Sequence, residues 1–318
     1  MDKIIKAFPK VQKNILLKDY TTYKIGGPAK YFFVAKSKDD LVTALETAKK
    51  FKLPVFILGG GSNLLVSDKG FRGLVIKINI NGVKIQGGEV FAGAGISLTK
   101  LAYLAAGEGL SGLEWAAGIP AGTVGGSIYG SAQAFGVKMA DIVKEVEALD
   151  LKTLKTKKFT KEQCRFSLKN SIFKKKRNLA IISAVLEFKE DDKEKIKNQI
   201  KEFIKYRKNG HPLNFPSAGS TFVNPQKMIK NKNLLTKFPK LNEYNVRGNI
   251  PAGYLIAKSG LAGQKVGNAQ VSEKHANFII NLGGAKAKDV LSLISLIKKK
   301  VKKSFGIELE QEVQLVGF

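Results

Sequence analysis

The sequence predicts an α+β fold, because helix-like and strand-like hydrophobic patterns occupy separate stretches of the chain. Apolar residues at positions 41, 44, 45, 48 and 51 recur at helical spacing, and two aspartates lie in their first turn. A short apolar run at 55–58 follows this helix, and another at 74–78 follows the glycine-containing loop at 68–73. We therefore expect a strand–helix–strand–loop–strand unit, in which the helix after Ser37 is the first clear element.

The rest of the chain continues this alternation around one clear interruption. Residues 211–216, with the sequence HPLNFP, break the regular pattern, and we place a domain boundary there. The main segments predicted as elements are helices at 98–106, 190–208 and 287–305 and strands at 179–188, 278–281 and 309–316.

Charge is the most unusual feature of the composition. The 318 residues include 54 Lys and Arg against 26 Asp and Glu, which gives a formal net charge of +28 at pH 7. Such an excess is typical of nucleic-acid binding, but the lysines are spread along the chain and form runs only at 174–177 and 298–303. The runs are not interleaved with the paired aromatics of RNA-binding modules. We interpret the charge as a solvated, lysine-rich surface and expect no nucleic-acid partner.

Composition and rare residues exclude several other classes of protein. With 44% hydrophobic and 25% charged residues, the chain is neither collagen-like nor disordered. The one cysteine, Cys164, cannot form an internal disulfide, and two separate histidines do not suggest a metal site. No run of about 18 apolar residues predicts a transmembrane helix, and the N-terminus lacks the apolar core of a signal peptide. We expect a cytoplasmic protein without membrane insertion.

Three successive glycines, Gly59, Gly60 and Gly61, follow the predicted strand at 55–58. Glycines permit positive φ, so neighbouring N–H groups can point into one concavity that binds an anion such as phosphate. Ser62 and Asn63 add side-chain donors. The pattern is neither a P-loop nor the dinucleotide fingerprint. By itself, a triple glycine is more often a mobile tight turn.

Two further stretches of small residues favour a nucleotide-like ligand. Residues 21–29 read TTYKIGGPA, and residues 110–136 read LSGLEWAAGIPAGTVGGSIYGSAQAFG. Seven glycines in the second stretch permit close backbone approach. This density suits a long cofactor that lies between backbone segments.

Six motifs are spread over nearly the whole chain: TTYKIGGPA, LGGGSNLLVSDKGFRGLVI, GLEWAAGIPAGTVGGSIYG, SAGSTFVNP, VSEKHANFIIN and FGIELEQEV. Together, and in this order, they resemble the motifs of the UDP-N-acetylenolpyruvoylglucosamine reductase (MurB) family. The resemblance implies a two-part FAD-binding region of the vanillyl-alcohol-oxidase type, followed by an α+β substrate-binding domain. We expect FAD-binding subdomains at 1–80 and 81–208 and the substrate-binding domain at 209–318.

The resemblance also implies a cytoplasmic flavoenzyme of peptidoglycan precursor synthesis. Its reaction is the reduction of an enolpyruvyl ether of a UDP-sugar to a lactyl ether, with noncovalent FAD as cofactor and NADPH as cosubstrate. This chemistry requires a cation or donor that stabilises an enolate and a general acid that protonates its carbon. Only small-molecule partners are expected, and the enzyme is expected to be a monomer.

Three residues take the catalytic positions in this resemblance. Ser220 matches the proton donor, and Glu312 matches the catalytic glutamate. Lys169 stands where the family has arginine, which keeps the positive charge but loses the bidentate fork. On the strand that we expect there, Arg165 lies on the same face as Lys169 but some distance away. Without the resemblance, Ser220 reads as a turn residue, Glu312 as part of a solvated strand face and Lys169 as one more lysine.

The remaining site residues follow from the same motifs. Asn224 and His275 are expected to bind substrate, although an asparagine before Pro225 also suits a simple Asx turn. The positions expected to bind FAD are Tyr23, Ile25, Gly59, Gly60, Gly61, Ser62, Asn63, Leu64, Gly118, Ile119, Gly122, Thr123, Gly125 and Gly126.

The sequence departs from the family pattern at several positions near the flavin motifs. Ala121 is an insertion in GIPAGTVGG, Ser131 and Gln133 replace the usual asparagine and glycine, and Ala257 replaces a common glutamate. The interval before the catalytic serine is short, which resembles the subclass without an extra substrate-covering loop.

Two other functions fit part of this pattern. Another flavin oxidoreductase of the same fold would often hold its flavin covalently through His or Cys, but His211, His275 and Cys164 lie outside the glycine-rich stretches. A decayed flavin-fold binding protein would account for the substitutions at Lys169 and Ser131. Flavin that stays on the denatured chain would support the first alternative, and a protein that takes up no FAD would support the second.

Overall fold

The computed structural model describes residues 2–318, and its mixture of helices and strands confirms the predicted α+β class. The α-helices are α1 (Lys3–Ala7), α2 (Lys38–Lys50), α3 (Leu98–Gly107), α4 (Val124–Tyr129), α5 (Met139–Ile142), α6 (Ile172–Lys175), α7 (Lys193–Gly210), α8 (Lys232–Lys237), α9 (Lys240–Val246), α10 (Ala252–Lys258) and α11 (Ala287–Phe305). The strands are β1 (Gln12–Leu16), β2 (Pro28–Ala35), β3 (Val55–Leu58), β4 (Leu64–Val66), β5 (Phe71–Ile78), β6 (Val83–Gln86), β7 (Glu89–Gly93), β8 (Leu110–Ser111), β9 (Gln133–Ala134), β10 (Val137–Lys138), β11 (Val143–Asp150), β12 (Thr156–Thr160), β13 (Leu179–Glu187), β14 (Lys189–Glu190), β15 (Lys265–Val266), β16 (Ala269–Val271), β17 (Ile279–Asn281) and β18 (Gln314–Val316). Short 3-10 helices lie at Leu17–Tyr20 and Glu114–Ala116.

The chain forms two compact units, each of which has its own hydrophobic core. Unit 1 contains the described part of Met1–Ile15 together with Pro28–Gly61 and Phe71–Arg207, and unit 2 contains Leu16–Gly27, Ser62–Gly70 and Lys208–Phe318. The division of the chain into three domains at residues 80 and 208 stays a prediction.

The first sheet of unit 1 has the strand order β1-β2-β5-β3, in which β2 and β3 both run parallel to β5. Parallel strands of one sheet need a crossover connection, and α2 supplies it between β2 and β3, which lie on either side of β5. This helix begins where Ser37 caps it, with the Ser37 Oγ accepting a hydrogen bond of 3.0 Å from the Asp40 amide. The helix and the two strands that were expected around it, β3 and β5, are confirmed.

The second sheet of unit 1 is antiparallel and has the order β12-β11-β13-β7-β6. The predicted strand at 179–188 is its central β13, and the predicted helix at 98–106 is α3. The apolar side chains of α3 and α4 lie in the same hydrophobic core as those of β13.

Unit 2 contains a small sheet, β15-β16-β17, and a parallel pair formed by β4 and β18. Helix α11 has the predicted bounds and buries an apolar stripe that includes Val290, Ile294, Ile297 and Val301. Gly306 ends it in the left-handed conformation, at φ 69°.

Two expectations about element bounds are wrong. The helix after Ser37, the first clear element in the sequence, is preceded by α1, β1 and β2. Helix α7 begins at Lys193 and not at residue 190, because Lys189 and Glu190 pair with β8 as strand β14. Residues 309–313 are not part of the last strand, since their backbone groups bond to residues 221–223 instead of continuing a ladder.

Among residues 2–318, no helix has the length and apolar character that a membrane crossing requires.

Candidate active site

The triple glycine forms a turn at the end of β3. Within unit 1, this turn packs against the glycine-rich stretch at 110–136, the second glycine-rich motif. A Cβ atom on Gly60 would lie 1.6 Å from the Ala121 carbonyl oxygen, and one on Gly59 would lie 3.2 Å from Thr123 Oγ1. Gly61 has φ 71°, a conformation that glycine adopts without strain. The close approach of the two backbone segments therefore leaves no room for a side chain at Gly60.

The second motif is also built from close backbone contacts. A Cβ atom on Gly125 would lie 2.8 Å from Ala94 Cβ, and the Gly125 amide donates to the Ala94 carbonyl at 2.9 Å. Thr123 caps α4 by accepting a 3.2 Å hydrogen bond from the Gly126 amide. The Gly118 amide donates to Thr99 Oγ1 at 3.2 Å. These contacts fix the backbone conformation of residues 118–126 beside the glycine turn.

Two of the expected departures near the flavin motifs adopt the left-handed conformation. Ala121, which was expected to be an insertion, has φ 50° and carries the carbonyl that lies against Gly60. Ser131 is buried and has φ 45°. Non-glycine residues in this region carry some strain, and asparagine tolerates it better than serine does.

The other predicted flavin residues lie in unit 2. Tyr23 and Ile25 are almost fully buried, and burial raises the pKa of the Tyr23 phenol above its usual value. The Tyr23 carbonyl accepts a 3.0 Å hydrogen bond from the buried Asn281 side chain. Asn63 donates through Nδ2 to the Glu312 carbonyl at 3.2 Å, so a residue of the glycine motif contacts the segment of the predicted catalytic glutamate.

Ser220 lies on a loop that one buried side chain holds in place. Asn277 accepts from the Phe222 amide at 3.0 Å through Oδ1 and donates to the Phe222 carbonyl at 2.9 Å through Nδ2. Its own backbone carbonyl accepts from the Thr221 amide at 2.7 Å. Three hydrogen bonds from one residue thus fix the backbone directly after Ser220.

The same loop brings Ser220 and Glu312 into one neighbourhood. The Glu312 amide donates to the Thr221 carbonyl at 2.8 Å, and the Val223 amide donates to the Glu310 carbonyl at 2.9 Å. Glu312 is partly buried, whereas Glu308 and Glu310 are exposed. The three glutamates therefore do not share one solvated strand face.

The two predicted substrate residues lie beside this loop. Asn224 is exposed, and its Oδ1 accepts from the Ala252 amide at 2.9 Å. His275 packs edge-on against His211, with ring centroids 5.4 Å apart. Its Nδ1 is buried and has no hydrogen-bond partner among residues 2–318, and burial lowers its pKa. His275 is thus favoured as a neutral ring in this unit.

Lys169 lies at a turn and not on the expected strand. Ser167 and Asn170 exchange backbone hydrogen bonds of 3.0 and 3.1 Å, and Lys169 between them has φ 54°. Arg165 is also left-handed, at φ 47°. Arg165 and Lys169 therefore do not share a strand face, and that expectation is wrong. Lys174 Nζ donates to the Lys169 carbonyl at 2.8 Å.

The site residues divide between the units as follows. Unit 1 holds Lys169, Gly59, Gly60, Gly61, Gly118, Ile119, Gly122, Thr123, Gly125 and Gly126, and unit 2 holds Ser220, Glu312, Asn224, His275, Tyr23, Ile25, Ser62, Asn63 and Leu64.

Two residues of these neighbourhoods were not singled out from the sequence. Asn277 lies within the VSEKHANFIIN motif, and its signal is a polar residue next to the apolar run that becomes β17. Lys77 is the one charged residue in the apolar run 74–78, and its Nζ donates to the Gly59 carbonyl at 3.2 Å. A lone charge within a run that is otherwise apolar is the signal that could have found it.

Comparison with known families agrees with the order of motifs. The FAD binding domain family matches residues 29–153, and the C-terminal domain of UDP-N-acetylenolpyruvoylglucosamine reductase matches residues 211–316. These two matches confirm the predicted fold class, in which an FAD-binding region precedes a distinct C-terminal domain.

Relatives that match over nearly the whole chain are named UDP-N-acetylenolpyruvoylglucosamine reductase. The UDP-N-acetylenolpyruvoylglucosamine reductase of Bacillus subtilis (strain 168) is 38% identical over 100% of this chain and 99% of its own length. That of Anoxybacillus flavithermus is 40% identical over 96% of this chain and 94% of its own length. The crystal structure of the Thermus caldophilus reductase matches with a TM-score of 0.76 at 33% identity, and it covers 96% of this chain and 98% of that one. This chain therefore belongs to the UDP-N-acetylenolpyruvoylglucosamine reductase family.

Proposed function

We propose that this chain is the NADPH-dependent flavoenzyme that reduces UDP-N-acetyl-3-O-(1-carboxyvinyl)-glucosamine to UDP-N-acetylmuramate in peptidoglycan precursor synthesis. Membership of the family supports the activity. The observation that supports roles for Ser220 and Glu312 is the 2.8 Å hydrogen bond from the Glu312 amide to the Thr221 carbonyl. This hydrogen bond joins the loop of the proposed proton donor to the segment that contains the glutamate.

The residues of unit 1 fit the diphosphate of FAD. Among residues 2–318, the Gly59 and Gly60 amides donate no hydrogen bond to the protein. Neither glycine has a side chain that could shield its own amide. Amides of this kind in a tight turn form a concavity for an anion. When bound, FAD supplies hydride transfer from NADPH to the enolpyruvyl double bond.

Ser220 is proposed as the proton donor. A serine hydroxyl is a weak acid, but the carbanion-like enolate formed in this reduction is basic enough to take its proton. Asn277 and the Glu312 backbone hold the residues after Ser220 in place. Less conformational entropy is therefore lost when the Ser220 hydroxyl takes its reacting position. Glu312 is proposed to orient the proton-donating group.

Lys169 is proposed as the cation that stabilises the enolate or its carboxylate. We expect Lys169→Met to lower kcat for the substrate at least tenfold, because an electrostatic contact to developing charge is worth about 2–4 kcal/mol. Lys169→Arg is expected to keep much of this activity, since it retains the charge. Stopped-flow measurement of substrate-dependent flavin reoxidation is the readout.

The control for Lys169 is Lys175→Met, which removes an exposed lysine of the same segment. It should leave flavin reoxidation unchanged. Equal rates for Lys169→Met and Lys169→Arg would remove Lys169 from the mechanism.

The activity itself is tested by NADPH oxidation with and without UDP-N-acetylenolpyruvoylglucosamine, using FAD-loaded protein. Turnover is expected to require the UDP-sugar, and UDP-N-acetylmuramate should form in equal amount to the NADPH consumed. Oxidation that is not accelerated by this substrate contradicts the proposal.

Noncovalent FAD is part of the proposal, so denaturation should release the flavin into the supernatant. Cys164 is fully buried, and burial raises the pKa of its thiol to about 12, which disfavours it as a nucleophile for covalent attachment. Flavin that precipitates with the chain would favour a covalent oxidoreductase instead.

We further propose that the enzyme is a cytoplasmic monomer that acts on small molecules alone. Both NADPH and the UDP-sugar are polyanions, so the net charge of +28 would speed their encounter at low ionic strength. Sedimentation velocity at micromolar concentration tests the oligomeric state.

A further inference from the structure

Lys77 is an unusual residue for its place in the fold. It lies on β5, which has β2 and β3 as its two neighbours, and pairs in register with Val34 and Leu58. Strands inside a parallel sheet are generally apolar on both faces, and lysine is rarely buried without a partner. The neighbouring Ile76 and Ile78 are buried apolar residues, so a charged side chain is not explained by the strand itself.

The ammonium group of Lys77 reaches the glycine turn. Its Nζ donates a 3.2 Å hydrogen bond to the carbonyl of Gly59, the first residue of the turn. Leu58, the register partner of Lys77, directly precedes Gly59, so strand pairing fixes the distance over which the side chain must extend. The charge is thus carried by a rigid strand to the edge of the turn.

Within residues 2–318, no carboxylate lies at salt-bridge distance from Lys77. Its partial burial lowers the pKa of the amine, which is the direction expected for a cation removed from water without a counter-ion. A buried charge of this kind is costly unless an anion compensates it.

We propose that Lys77 is a further FAD-binding residue, whose ammonium compensates the negative charge of the diphosphate held at the Gly59–Gly60 turn. An ammonium group has three donors, and the Gly59 carbonyl occupies one of them. The remaining donors make charge-assisted hydrogen bonds to phosphate oxygens, which are stronger than hydrogen bonds between neutral groups. The inference rests on the proposed function only for the identity of the cofactor, and not for the UDP-sugar or the proton donor.

The competing explanation is that Lys77 only braces the turn through the Gly59 carbonyl. The two roles predict different effects on the binding affinity for flavins with and without phosphate groups. A brace shapes the turn for every flavin, whereas a counter-ion acts only on a ligand that carries the diphosphate. They also differ in the cofactor-free protein, where removal of a brace destabilises the fold but removal of an uncompensated charge does not.

The test uses cofactor-free full-length protein in three variants, Lys77→Met, Lys77→Gln and, as a matched control, Lys84→Met. Gln keeps a donor for the Gly59 carbonyl but removes the charge, and Lys84 is an exposed lysine on β6 of the same unit. FAD and riboflavin are each titrated by flavin fluorescence, and thermal unfolding of each cofactor-free variant is recorded.

Lys77→Met and Lys77→Gln are expected to weaken FAD binding about ten- to a hundredfold, the range for a lost hydrogen bond to a charged group. Riboflavin affinity should stay within about threefold of the unaltered protein, and the cofactor-free Tm should not fall. Lys84→Met should change none of these quantities.

Equal weakening of FAD and riboflavin, or recovery of FAD binding by Gln with a lower Tm for Met, would overturn the proposal in favour of a brace. Unchanged FAD affinity in both Lys77 variants would overturn it outright. None of these measurements uses NADPH or the UDP-sugar, so they do not depend on the reductase reaction. Failure of the unaltered protein to bind FAD would count against the proposed function instead.

Discussion

Replacement of Ser220 by alanine is expected to leave reduction of the bound flavin by NADPH intact and to block the second half of the reaction. General acid catalysis typically contributes about 10²–10⁴-fold to rate, so substrate-dependent reoxidation should slow by a factor in that range. Stopped-flow absorbance of the flavin separates the two halves, because NADPH bleaches it and substrate restores its colour. The loss should appear in the second phase alone.

The Ser217→Ala variant is the matched control for this result. Ser217 lies on the same loop, and its Oγ accepts a 3.5 Å hydrogen bond from the Gly219 amide, so the substitution removes one loop contact and leaves the Ser220 hydroxyl in place. Both half-reactions should proceed at their normal rates in this variant. If Ser220→Ala slows both phases equally, Ser220 shapes the loop and does not donate the proton.

The second large effect is expected at Gly60. A methyl group there would lie 1.6 Å from the Ala121 carbonyl oxygen, which is backbone and cannot rotate away as a side chain does. Gly60→Ala must therefore separate the glycine turn from residues 121–123, at a cost of about 1–3 kcal/mol in unfolding free energy. We expect the purified variant to be colourless and to need at least tenfold more FAD for saturation.

Gly82→Ala provides the comparison, because no atom lies within 4 Å of a Cβ built at Gly82, which is also in unit 1. That variant should keep its flavin and its Tm. Flavin absorbance per protein and thermal unfolding without cofactor measure the two effects separately. A yellow Gly60→Ala variant with unchanged Tm would show that the turn does not require glycine at this position.

Local patterns predicted the elements whose stability is local. Helix α11 was predicted with both of its bounds, because its apolar stripe repeats at helical spacing. In the structure, Gly306 in the left-handed conformation ends it. Strand β3 was predicted because Pro54 and the glycines bracket a short apolar run. In each case the signals lie within a few residues of the element.

Prediction from the sequence failed where distant segments decide the conformation. Residues 309–313 alternate like a strand, but their backbone partners are on the loop at 221–223, which no local pattern reveals. Lys169 adopts φ 54° without being a glycine, so nothing in its residue type indicated a turn. The role of Asn277 depends on Phe222, 55 residues away. Motif order identified the family, but it did not reveal these contacts.

The pairing of β4 with β18 has a consequence for synthesis of the protein. Asn63 and Glu312, which the Asn63 side chain links beside this pair, are 249 residues apart in the chain. At a translation rate of about 5–20 residues per second, β4 waits roughly 12–50 s for its partner to leave the ribosome. Leu64, Leu65 and Val66 are all buried in the final structure. During that interval these apolar residues lack their partner strand, so we expect nascent chains that stall before residue 314 to aggregate more readily than the full chain.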